Sequence, residues 1–172
     1  MLILDTPRYK YKRMEGLSMN IKKDYIEKTK EYLIDLRKKI NRKNMLKEEI
    51  KILKERQSLN NGIDLSQLGI KSSSSTKDIS DLIVTCDTKI TIKETEIDKI
   101  DHDLRMYELY SRELEEETKK IIDLRYLENK KLKAFTKIAK EVKFGKSTVA
   151  TKHDEGIEML AFYIFGDIAV YN

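Results

Sequence analysis

Eight lysines and a single acid, Glu141, lie between Lys130 and Lys152. Amines at that density can neutralise phosphate, and each phosphate neutralised steepens the salt dependence of binding to a polyanion. Lys137, Lys143, Lys146 and Lys152 fall on or beside two short stretches of helical pattern, and Lys140 stands with them. Ser147, Ala150 and Thr151 lie on the side of the second stretch away from its apolar positions. Small residues there let a helix sink close to base edges while flanking lysines reach the backbone. The rest of the chain offers little chemistry. His102, between Asp101 and Asp103, has no second histidine or cysteine at metal-ligand spacing and reads as a solvent-facing helix residue. Cys86 falls on an apolar seam and behaves as a small hydrophobe. No glycine-rich phosphate loop, nucleophile elbow or paired catalytic carboxylates occur. The acidic run 115–117 is better explained as the first turn of a helix. The expectation is a protein with no catalytic residues, no cofactor and no metal, whose partner is double-stranded DNA.

The elements that would position these residues are short helices. One opens at the acidic run, carries Ile121, Ile122, Leu124 and Tyr126, and stops near Asn129. A second, from about Ala134 to Val142, buries Phe135, Ile138, Ala139 and Val142. Lys143 and Phe144 form a tight turn, with Phe144 plugging the space between helices. Gly145 is the N-cap, where glycine is tolerated, and the last helix begins at Lys146. Its inward stripe is Val149, His153, Ile157 and Leu160. Lys146, Ser147, Ala150, Thr151 and Asp154 then face away, with Lys152 at the margin. Two helices joined by a tight turn, the second presented outward, make a helix-turn-helix.

Ahead of this unit the chain reads as two long helices. From Ile21 to about Gln57 the pattern is unbroken, with Ile26, Leu33, Leu36 and Ile40 on one stripe that Leu46, Ile50 and Leu53 continue. Residues 58–75 break it, with the turn signal Asn60-Asn61-Gly62 and four consecutive serines, although Ile63, Leu65, Leu68 and Ile70 between them suit local packing. Ser75 can cap the next helix, and Asp78 completes a capping-box pattern. Its apolar stripe runs Ile79, Ile83, Cys86, Ile90, Lys93, Ile97, Ile100, Leu104, Tyr107, Ser111, Leu114, interrupted only by Lys93 and Ser111. Alternating steps of four and three define a seam for another helix. The partner is either the first helix folded back or the same helix of a second molecule. Residues 1–58 carry 17 basic and 9 acidic side chains and residues 77–117 carry 6 and 13, a balance that suits a folded-back pair and equally two solvated helix faces, so the sequence alone does not choose.

Composition agrees with an all-α chain: 38% charged, one proline and six glycines in 172 residues. The domains read as a basic tail 1–19, an assembly region 20–115 of two long helices with the 58–75 loop, and a DNA-binding helix-turn-helix bundle 116–172. The lone cysteine suits a reducing compartment. No signal peptide is evident, and no run reaches membrane-spanning length. The apolar tail 161–172 is expected to pack on the preceding helices, a dimer contact being the functional alternative.

Residues 118–165 resemble the region-4 helix-turn-helix of sigma factors. The family's pattern is met by Leu124-Arg125-Tyr126, Ile138-Ala139, Phe144 and Thr148-Val149. With the helical N-terminal half, the whole is similar to the ArpU/RinA group of phage and prophage late-gene transcriptional regulators. The resemblance implies promoter binding, activation of late genes in a Gram-positive host or its phage, and RNA polymerase as a second partner, in a bacterial cytoplasm; a homo-oligomer, dimer favoured, follows the common arrangement of two recognition helices about one DNA turn apart. By position it gives Lys146, Ser147, Ala150, Thr151 and Lys152 the base- and phosphate-contacting places. Three positions depart from the family. Lys143 replaces the turn glycine and Gly145 the capping serine, as though the glycine had moved by two positions. Gly156 stands where alanine is usual, which should weaken the last helix by up to roughly 1 kcal/mol. Rival readings are a phage small terminase subunit and a structural coiled-coil protein without a nucleic-acid role.

Overall fold

A computed structural model describes residues 20–61, 75–128 and 131–171. The tail 1–19, the apolar positions 63–70, and the side chains of Ser75 and Asp78 with their capping box lie outside the described residues. The fold is all-α. Helix α1 spans Lys23–Asn61 and α2 Ser75–Ser111. Three shorter helices follow, α3 (Glu116–Tyr126), α4 (Phe135–Val142) and α5 (Lys146–Phe165), and a 3-10 turn, Gly166–Ala169, closes the chain. Neither long helix contains a proline or a glycine, so nothing breaks either ladder.

α1 and α2 form an antiparallel hairpin, so the partner for the α2 seam is the chain's own first helix. Cys86, Ile90, Ile100 and Tyr107 of α2, and Leu33, Leu36, Leu46 and Ile50 of α1, are buried. The two interruptions of the seam have local explanations. Lys93 forms an ion pair with Glu49 across the hairpin. Ser111 is buried at the end of α2, its hydroxyl turned to the Glu108 carbonyl. Opposite charges line the flanks: Lys39 meets Asp103 at 3.0 Å, Arg42 Nε meets Glu96 at 3.0 Å, and Lys43 pairs with Asp101. Partly exposed pairs of this kind contribute little stability. Their value is in register, because a slide of one helix would set like charges together.

The base of the hairpin is also the floor of the C-terminal helices. One buried cluster joins Leu33 and Leu36 of α1, Tyr107 of α2, Leu114 beyond it, Ile122 and Tyr126 of α3, and Ile157 and Leu160 of α5. Tyr107 is held by a 2.5 Å hydrogen bond from its hydroxyl to Asp123. Burial pushes Asp123 above the ordinary carboxylate range, and the tyrosine bond works against that shift.

α5 runs through the apolar tail as far as Phe165, and Gly166 ends it at φ 66°, a conformation that suits glycine. The chain then returns to the start of α1. Lys22 N–H donates to the Ala169 carbonyl at 2.8 Å, and Tyr171 N–H to Asn20 at 2.9 Å. Ile21, Ala161 and Ala169 pack beneath this bridge, with the Tyr25 ring 5.1 Å from that of Phe165. The tail therefore packs within the molecule.

Candidate nucleic-acid interface

α3, α4 and α5 enclose a small core of Ile121, Leu124, Ile138 and Val149, closed at its edge by Phe135, Ala139, Val142 and Phe144. Local signals set each helix. Glu116 and Glu117 favour the positive end of α3, and Arg125 its negative end. α4 and α5 have no side-chain cap; Ala134 and Gly145 merely take extended backbone at the N-cap positions. Phe144, half-buried, inserts between the helices.

The turn between α4 and α5 is closed by Lys143 in the left-handed region, φ 59° and ψ 34°. The Phe144 N–H reaches back to the Ala139 carbonyl at 3.2 Å, as in a Schellman closure. Gly145, at φ −65° and ψ 150°, does not take the left-handed place. The glycine expected at the turn has not moved by two positions; lysine occupies the strained site itself. Left-handed backbone costs an L-residue roughly 1–2 kcal/mol, while glycine carries an entropic cost of roughly 0.5–1 kcal/mol. Lys143→Gly is therefore expected to stabilise the fold by about 0.5–1 kcal/mol, read as a higher urea midpoint at unchanged slope. A lowered midpoint would mean that Lys143 does not bear left-handed strain.

Lys137, Lys140, Lys143, Lys146, Ser147, Thr148 and Thr151 are exposed, and Ala150 is half-buried at the flank of α5. None of Lys137, Lys140, Lys143 and Lys146 is ion-paired among the described residues. The one acid of the run, Glu141, is already held by Lys133 at 2.5 Å. Lys152 differs from the other site lysines. Its ammonium meets Glu115 at 2.6 Å and lies 5.9 Å from the centre of the Phe144 ring. Beyond Thr151 the sign changes, with Asp154 and Glu155 exposed on α5. The part of the face suited to an anion is thus α4, the turn and the first two turns of α5.

Behind that face, His153 is buried and fully bonded. Its Nδ1 lies 2.8 Å from Asp154 Oδ1, and its Nε2 3.1 Å from the Tyr126 hydroxyl. A neutral ring satisfies both, with Nδ1–H donating to Asp154 and Nε2 accepting from Tyr126. The ring stacks on Tyr126 at 5.7 Å and meets the edge of Phe135 at 5.0 Å. Arg125 covers the other partner, 4.4 Å over Phe135, and donates to the Lys133 carbonyl. Burial pushes the His153 pKa below its ordinary 6.5; the Asp154 carboxylate opposes that shift, and Arg125 and Lys30 add to it. The unfolded chain then binds the proton more readily than the folded one. Stability should fall as pH drops below about 6.5, until the folded-state pKa is passed. His153→Phe keeps a ring against Tyr126 and Phe135 and is expected to flatten that part of the pH–stability profile. An unchanged profile would show that His153 is not the group titrating.

Three features carry no signal in local pattern: one side chain, one ion pair and one helix crossing. Thr148 is exposed beside Ser147, although it lies next to Val149 of the inward stripe. Glu115 and Lys152 meet across 37 positions of sequence. Gly156 is buried where α5 crosses α3: a Cβ there would lie 2.6 Å from Thr118 Cγ2 and 2.7 Å from Ile122 Cδ1. The departure from alanine is a packing requirement and not simply a weak point in the helix. Among the described residues no group of three or more His, Cys, Asp or Glu side chains could hold a metal ion, and no helix is long and apolar enough to cross a membrane. Comparison with protein-family models, curated proteins and solved structures finds no match to this chain.

Proposed function

We propose that this chain is a sequence-specific DNA-binding transcriptional regulator, acting through the three-helix unit α3–α5 on double-stranded DNA. One observation carries the reading. Four exposed lysines without an ion-pair partner among the described residues, Lys137, Lys140, Lys143 and Lys146, border the exposed small residues Ser147, Thr148 and Thr151 at the start of a braced helix. That is the pairing a groove needs: amines for the phosphate walls, and short side chains at the base edges. Promoter binding, contact with RNA polymerase and control of phage or prophage late genes rest on the resemblance of residues 118–165 to sigma region 4 and of the whole chain to the ArpU/RinA regulators. A dimer on a two-fold site would place two such helices about one DNA turn apart. A structural coiled-coil role is less favoured, because the α2 seam is occupied by α1 of the same chain.

The test is a titration of labelled duplex DNA over a range of salt concentrations. Lys143→Ala with Lys146→Ala should weaken binding and flatten the slope of log affinity against log salt by about 1.8, at roughly 0.9 per phosphate contact. Alanine leaves the backbone requirement at position 143 unchanged, so folding should survive. Lys152 is a poorer target, since Glu115 already holds its amine. An unaltered slope, or binding equal for all sequences, would overturn the reading.

A further inference from the structure

Resting on that DNA-binding reading, we infer that the α5 face recognises thymine by its C5-methyl group, through the methyl groups of Thr148 and Thr151. The inference comes from which side chains remain to read a base. From Phe135 to Phe165 there is no arginine, asparagine or glutamine. The bidentate partners that arginine offers guanine, and asparagine or glutamine offer adenine, are therefore missing. Arg125, on the neighbouring α3, is held over Phe135 and bonded to the Lys133 carbonyl. Lysine is a flexible point charge suited to phosphate. His153 is buried, and Asp154 is engaged by it. Glu155 and Glu158 are anions that the DNA backbone repels.

What is left is Ser147, Thr148 and Thr151, with Ala150 at the flank. Their hydroxyls make no hydrogen bond among the described residues, whereas Thr29, Thr88, Thr91 and Thr95 return theirs to their own helices. A free hydroxyl bonds to the edge of any base pair and discriminates poorly. A methyl group does discriminate, because only thymine places an apolar group in the major groove. Thr148 and Thr151, at i and i+3, are neighbours on one helical face. The exposed surface of α5 is thus equipped for thymine and for little else.

The experiment uses the full chain and the tightest duplex recovered from a random-sequence pool. It compares that duplex with a copy carrying 2′-deoxyuridine for thymidine, which removes the methyl groups and leaves charge and pairing alone. Affinity should fall by about fourfold for each methyl no longer buried. Thr148→Ser with Thr151→Ser keeps both hydroxyls and should bind the two duplexes equally, at the level wild type shows for the uracil copy. Wild type binding both copies equally, with the lysine-dependent salt slope intact, would overturn the thymine assignment alone. Recovery of sites without thymine would do the same. No binding to any duplex at low salt would overturn both this inference and the DNA-binding reading.

Discussion

Gly156→Val is expected to lower the unfolding free energy by about 1–3 kcal/mol, the usual cost of forcing extra carbons into a packed site. Position 156 lies where α5 crosses α3. The first added carbon would already stand 2.6 Å from Thr118 Cγ2 and 2.7 Å from Ile122 Cδ1, inside any real contact distance. Ile122 is fully buried in the cluster that joins the hairpin to α3 and α5, so its side chain has little room to yield. Thr118 is β-branched and buried, with few rotamers to choose from. Gly156→Ala sets two effects against each other. Helix propensity favours alanine by about 1 kcal/mol; the clash opposes it, and should cancel most or all of that gain. Urea unfolding at constant slope measures both variants. Wild-type stability in Gly156→Val would show that α3 and α5 do not meet closely at position 156.

Leu33→Ala should cost about 2–5 kcal/mol, the range for deleting a fully buried leucine side chain. Leu33 is in the first third of α1, far in sequence from the lysine-rich face, and is wholly inaccessible to solvent. Its cluster includes Ile122, Tyr126, Ile157 and Leu160. The loss should therefore reach α3 and α5. One unfolding transition, seen equally by total helicity and by tyrosine fluorescence, is expected for both wild type and variant. Two separated transitions, with only the first shifted, would mean that the C-terminal helices hold together without the hairpin.

Much of this fold is legible as pattern. The stripe from Cys86 to Tyr107 repeats in steps of four and three, and only a helix facing another helix needs that spacing. The stripe of Val149, His153, Ile157 and Leu160 marks the inner side of α5, and all four are buried. The outer side follows by subtraction, so exposure of Ser147 and Thr151 is legible too. The strain at Lys143 is not legible in this way. The turn demands a left-handed residue, and a lysine there announces nothing; only the backbone shows that it bears the strain.

Local sequence determined that this chain is helical, where its short helices start and stop, and which side of each is apolar. Propensity and periodicity act over a few residues, and those residues are adjacent in the chain. Tertiary structure alone decided which surfaces meet. It chose α1 over a second molecule as the partner of α2, brought Glu115 to Lys152, set Gly156 against Thr118, and pinned the chain end to Ile21. Each of those outcomes depends on distances between helices remote in sequence. Such distances are settled by how all the side chains pack at once, and no short window of sequence contains them.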